Sequence, residues 1–127
     1  VFDPAAGTLA YASAGHNPPR LLRAADGCRL VLNRAQRLPL GIKPDEAYAE
    51  QVVPLTAGDR VVFFTDGVIE AVNPDGDVFG TDRIDAALAA APATAEHLIQ
   101  AVLRDLTGFT AGTPVADDRT LVVVKRA

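Results

Sequence analysis

Two short apolar runs stand out from an otherwise mixed chain. Val61-Val62-Phe63-Phe64 and Leu121-Val122-Val123-Val124 each present four consecutive apolar side chains. Neither has a polar position to turn toward water, so both read as strands buried on both faces. Carboxylates lie close to an end of each. Gly58-Asp59-Arg60 leads into the first run and Thr65-Asp66-Gly67 follows it, while Asp117-Asp118-Arg119-Thr120 leads into the second. If the two strands are antiparallel neighbours, the end of one lies beside the start of the other. Asp66 then meets the Asp117/Asp118 pair at one rim of a sheet.

The remaining pattern supplies shorter strands first and helices later. Leu9-Ala10-Tyr11-Ala12-Ser13 reads as a strand, paired through the turn at residues 4–7 with whatever precedes Val1. Ala14-Gly15-His16-Asn17-Pro18-Pro19 breaks it. Leu21-Leu22-Arg23 and residues 28–32 flank Asp26-Gly27, a hairpin signal because Asp-Gly accepts the positive φ angles of a tight turn. Residues 33–44 read as loop. Residues 48–55 read as a strand whose Pro54 places its end at a sheet edge. After Gly67, residues 68–72 suit a helical turn, and Asn73-Pro74-Asp75-Gly76-Asp77 is a turn. Thr81 is expected to cap a helix with Asp82 in its first turn and Ile84, Ala87, Leu88 and Ala91 on one face, ended by Pro92. Thr94 is expected to cap a second helix with a buried stripe of Ala95, Leu98, Ile99, Val102, Leu103 and Leu106, closed by Gly108. This order predicts an α+β fold, a largely antiparallel sheet with helices on one face.

Length and composition narrow the classes. A chain of 127 residues that is 49% hydrophobic can bury a core as one domain. A net charge of −4 without a basic block argues against nucleic acid as a partner. One cysteine, Cys28, excludes an internal disulfide framework and fits a reducing cytoplasm. No apolar run approaches membrane-spanning length. The chain lacks methionine and opens on Val1-Phe2, which reads as the end of a strand running into a turn. A piece of a longer chain is therefore expected.

Carboxylates at a sheet rim can hold a divalent cation, form an acid/base pair, or merely terminate strands. Hard cations such as Mg²⁺ and Mn²⁺ prefer oxygen ligands, and a strand holds a short Asp side chain rigidly. The spacing alone leaves the three readings open. Residues 73–84 fail as a calcium loop, because Val78 and Ile84 occupy positions that need glycine and glutamate. His97 falls opposite the apolar stripe of its helix and reads as a surface residue. His16 reads as a hydrogen-bonded turn histidine, and Cys28 as a packed thiol within a strand. With these as the only histidines, neither a zinc site nor a Ser-His-Asp triad has a supporting motif.

The residues Gly58-Asp59, Thr65-Asp66-Gly67-Val68, Glu70-Ala71, Asn73 and Gly80 together resemble the core signature of the SpoIIE-like (stage II sporulation protein E) group of PPM-type metal-dependent serine/threonine phosphatases. Ala14-Gly15-His16-Asn17-Pro18-Pro19, Leu38-Pro39-Leu40-Gly41 and Asp117-Asp118-Arg119-Thr120-Leu121 are similar to three further family blocks, in the same order. The resemblance implies two β-sheets with flanking helices and a two-metal site for Mn²⁺ or Mg²⁺. It implies hydrolysis of phosphoserine or phosphothreonine by a metal-activated water, without a covalent enzyme intermediate. By position, Asp66 and Asp117 match metal-ligand aspartates, Asp118 takes a supporting place beside them, and Gly67 lets the backbone bend close to the site.

Residues 1–127 match only the C-terminal portion of such a domain. The family's Gly-Gly-Asp and Gly-Asp-x-x-Gly-His-Gly blocks, which carry the bridging ligand, are absent. The parent protein is therefore expected to be a phosphatase acting on a phosphorylated regulatory protein, such as an anti-anti-sigma factor, in the cytoplasm. The 127 residues alone are expected to be inactive or nearly so, and to self-associate through exposed sheet edges. The alternative is a catalytically degenerate module that acts by binding such partners. A purely structural β domain would instead leave Asp66 freely replaceable.

Overall fold

A computed structural model describes residues 1–92 and 94–127. The chain forms two compact units, residues 1–62 with 124–127 and residues 63–123.

The first unit is built of short strands. β1 (Phe2–Asp3) and β2 (Thr8–Tyr11) form a hairpin whose turn is held by Asp3, its Oδ1 accepting from the Ala5 and Ala6 amides at 2.9 Å each. The partner of β2, expected to precede Val1, is instead residues 2–3. β7 (Gln51–Pro54) pairs antiparallel on the other side of β2, with Leu9 opposite Val53, and is an edge strand as its Pro54 predicts. β4 (Arg20–Leu22) and β5 (Arg29–Val31) form the expected hairpin; Gly27 takes φ +68° and Asp26 Oδ1 accepts from the Cys28 amide at 2.9 Å. Cys28 is exposed in that turn. The expected packed mid-strand thiol is corrected, because β5 begins one residue later.

One pairing has no precursor in the hydropathy pattern. β3 (Ser13–Ala14) runs parallel to β6 (Gln36–Arg37). It joins Ser13, the last residue of the expected 9–13 strand, and Ala14 of the break after it to a stretch read as loop, since two-residue strands leave no periodicity to detect.

β8 (Arg60–Phe64) pairs antiparallel with β4, Leu21 opposite Val61. Val61, Val62 and Phe64 are buried and Phe63 half-buried, so the doubly buried strand is observed. β9 (Leu121–Lys125) follows β8 in the order β5-β4-β8-β9. The Arg126 amide donates to the Asp59 carbonyl at 2.9 Å and the Thr65 amide to the Thr120 carbonyl at 3.1 Å, an antiparallel arrangement. Burial of β9 on both faces is not found. Leu121, Val123 and Val124 are half-buried and Val122 is 46% exposed, because β9 is the outermost strand of its sheet.

The second unit carries the helices. α1 (Asp66–Ile69) follows β8 directly, and α2 (Gly80–Ala90) packs on α3 (Ala95–Thr110). Ile84, Ala87 and Leu88 of α2 and Leu98, Ala101, Val102 and Leu106 of α3 are buried, with Phe64, Val68 and Phe79. The Phe79 and Phe109 rings meet edge-on at 5.4 Å, and the Arg83 guanidinium lies 4.4 Å from the Phe109 centroid.

Three predicted helix details change. α2 starts at Gly80, φ +74°, so Thr81 lies within its first turn rather than capping it. Leu103 is exposed and Ala101 takes a place in the buried stripe. Gly108 does not close α3, which continues two residues further to an Ala111 cap at φ +47°. Thr94 does cap α3, its hydroxyl accepting from the His97 amide at 3.2 Å.

Candidate metal centre

The rim predicted from the two carboxylate-flanked strands is assembled by Thr65, the first residue after β8. Its hydroxyl donates to the Asp118 carbonyl at 3.1 Å and accepts from the Thr120 amide at 2.9 Å. Its own amide donates to the Thr120 carbonyl. One threonine therefore clamps residues 118–120 against the chain leaving the strand.

Gly67 is buried in the second residue of α1 and sits against the same segment. A Cβ at this position would collide with the Asp118 carbonyl oxygen and lie 3.0 and 3.2 Å from the carbonyl carbons of Asp118 and Asp117. Close backbone approach, rather than a positive φ, is what demands glycine here. Gly67 thus meets residues 117–118 in a tight backbone contact.

The side chains at this contact are exposed. Asp66 Oδ1 accepts from the Gly67 amide at 3.0 Å and Asp117 Oδ1 from the Asp118 amide at 2.7 Å. Each bond fixes one carboxylate oxygen and leaves the group facing solvent. Among the described residues, neither aspartate forms an ion pair. Asp118 contributes mainly through its backbone, as the acceptor for Thr65 and the neighbour of Gly67.

Exposed, backbone-fixed carboxylate oxygens suit a hard divalent cation. They fit part of a site only: among the described residues, no group of three or more His, Cys, Asp or Glu is gathered for a metal. A cleft of about 130 Å³ opens beside Asp117, lined also by Gly67, Glu70, Ala71, Val72, Pro114, Ala116 and Arg119.

Asp59, at the opposite end of β8, has no role assigned by the pattern, yet it is fully buried. Its carboxylate accepts from the Thr56 and Ala24 amides at 2.9 Å each and from Arg23 Nη1 at 2.7 Å. Burial pushes its pKa up, but these bonds more than offset that and hold it at about 2, against 3.8 ordinarily. The clue available in the sequence is the Gly58-Asp59 step directly before a wholly apolar strand.

The other candidates lie outside the rim. His16 is exposed, with Nδ1 2.9 Å from the Asn17 carbonyl, as expected of a turn histidine. His97 is exposed and its Nδ1 meets the Thr94 hydroxyl at 2.8 Å. Within the first unit, Gly15 at φ +80° packs so closely on Pro39 that a Cβ would stand 2.6 Å from its ring. This contact joins the Ala14-Gly15-His16-Asn17-Pro18-Pro19 segment to Leu38-Pro39-Leu40-Gly41.

This α+β architecture, with antiparallel sheets and few helices, is that of PP2C-type phosphatase domains in part. It is similar to the SiaA PP2C domain of Pseudomonas aeruginosa (TM-score 0.73, 21% identity), covering 94% of this chain and 47% of that one. It is also similar to the RsbU and RsbW domains of Mycobacterium tuberculosis Rv1364c (TM-score 0.71, 28% identity, 95% and 33% covered). The stage II sporulation protein E (SpoIIE) family model matches residues 1–127, and the chain belongs to that family. Among curated relatives, Protein IcfG of Synechocystis sp. is 27% identical over 126 residues. The chain spans 20% of that relative's length and less than half of the two structures.

Proposed function

We propose that residues 1–127 are the C-terminal portion of a metal-dependent serine/threonine phosphatase domain, and that Asp66 and Asp117 are ligands of its divalent ion. The observation that carries this reading is the contact made by Thr65 and Gly67. It brings two exposed aspartates onto one fixed stretch of backbone.

In this reading Asp66 and Asp117 each offer an oxygen left open by their backbone bonds to Mn²⁺ or Mg²⁺. Thr65 holds the 118–120 segment in register, Gly67 permits the approach, and Asp118 supports the loop through its carbonyl. When bound, the ion supplies a more acidic water and charge stabilisation for the transferring phosphoryl group. Two carboxylates are few for a pair of ions, so the remaining ligands come from the rest of the parent domain and the 127 residues alone have little or no activity.

The substrate in this proposal is a phosphoserine or phosphothreonine on a cytoplasmic regulatory protein of the anti-anti-sigma-factor kind. The pairing of RsbU and RsbW domains in the Mycobacterium tuberculosis relative supports a regulatory setting. Among the described residues no helix is long and apolar enough to cross a membrane. The outermost strands β7 and β9 offer free edges for self-association.

The absence of a three-ligand group among the described residues favours one further reading, a degenerate module that binds partners without turnover. Hydrolysis of p-nitrophenyl phosphate with Mn²⁺ separates the two. The chain is compared with a form extended at its N-terminus by about a hundred residues. The phosphatase reading predicts activity in the longer form that is lost on Asp66→Asn. Lack of activity in both forms would leave the binding module.

A further inference from the structure

We infer that Arg119 is the oxyanion seat of the cleft beside Asp117, and that it receives the substrate's phosphoryl group. The source of the oxyanion rests on the phosphatase reading; the seat itself rests on geometry. Among the described residues, the buried Nε of Arg119 has no hydrogen-bond partner. A buried guanidinium N–H without an acceptor is costly, and native proteins rarely leave one unmet. Arg119 lines the cleft together with Asp117 and Glu70, and among the described residues it is the one cation in that lining. Its backbone is immobilised from the next residue, where Thr120 is clamped by Thr65.

An arginine held this way presents a planar fork of donors that matches two oxygens of a phosphate. Asp117 and Glu70 repel a phosphate while no cation neutralises them. Seating is therefore coupled to the divalent ion: the carboxylates take the cation, and Arg119 takes the anion brought with it. Arg119 would then set how tightly the substrate is held, while Asp66 and Asp117 set whether the reaction proceeds.

The test uses the 127-residue chain in saturating Mg²⁺ and inorganic phosphate as the probe. The Arg119 Nε–Hε resonance should shift saturably with phosphate. Calorimetry should show phosphate affinity falling about tenfold or more in Arg119→Ala, with an intermediate loss in Arg119→Lys, which keeps the charge but not the fork. Mg²⁺ affinity measured without phosphate should not move, and the melting temperature should not fall. Arg119→Lys keeps the test decisive if the alanine variant does not fold. An unmoved Arg119 resonance, or equal phosphate affinity in wild type and variants, overturns the seat. In the extended form, Mn²⁺-dependent hydrolysis with KM unchanged by Arg119→Ala would also overturn it, while leaving the phosphatase reading standing. A saturable shift at Arg119 with no hydrolysis by the extended form would keep the seat and sink the phosphatase reading.

Discussion

The two ends of β8 place the same residue type in opposite environments. At its start, Asp59 is buried and its carboxylate is saturated by two amides and an arginine. At its end, Asp66 is exposed, with one oxygen held by the Gly67 amide. Asp117 repeats the second case on the neighbouring segment. A carboxylate that serves the fold has its acceptor capacity filled from within the protein. One that serves a ligand is held in place but left open, which contributes little to stability. Under the proposed reading, this contrast is what distinguishes Asp59 from Asp66 and Asp117.

The largest effect is expected where that saturation is broken. Asp59→Ala strands two part-buried amides and the Arg23 guanidinium, and should destabilise the chain by about 3–5 kcal/mol. Urea unfolding would show it as a fall in midpoint, or as failure to fold.

Acid should reach the same group. The folded pKa of Asp59, about 2, lies below its ordinary 3.8. A depressed carboxylate pKa stabilises the fold above pH 3.8, and that stabilisation is lost as pH falls toward 2. The shift corresponds to about 2 kcal/mol. Unfolding series between pH 6 and pH 2 should show this loss in wild type and a flatter profile in Asp59→Asn.

At the other end, Gly67→Ala forces a methyl group onto the Asp117–Asp118 backbone. A cost of about 1–3 kcal/mol is expected. Because the collision lies at the rim, divalent-ion affinity should fall as well, which Asp59 variants that still fold should not show. The smallest stability effect belongs to Asp66→Asn. An exposed side chain with a single local bond should change the unfolding free energy by less than about 0.5 kcal/mol. Equal destabilisation by Asp66→Asn and Asp59→Asn would erase the distinction between the two ends.

Much of this arrangement was legible in the residue pattern, and the exceptions have physical reasons. The buried β8, the 26–27 hairpin and the Thr94 cap follow from local chemistry: apolar continuity, Asp-Gly turn geometry and a hydroxyl placed to accept an amide. The approach of Thr65 and Gly67 to residues 117–120 is in line with carboxylates placed at the ends of two adjacent strands. The exposure of β9 did not, because four apolar residues look alike at a sheet centre and at its edge, and only strand order tells them apart. The continuation of α3 past Gly108 depends on tertiary contacts, with Phe109 against Phe79 and Thr110 buried, which outweigh the roughly 1 kcal/mol a helical glycine costs. The roles of Asp59 and Arg119 depend on where their partners lie, or fail to lie, in space. Spacing along a chain carries no record of that.

The most direct test of the rim as a ligand site is calorimetric titration of Mn²⁺ into the wild-type chain, Asp66→Asn and Asp117→Asn, with a thermal melt of each. Detectable binding by wild type, weakened at least about tenfold in either variant at unchanged melting temperature, is the predicted result. Equal Mn²⁺ affinity across the three, with all of them folded, would contradict the assignment of these aspartates to a metal.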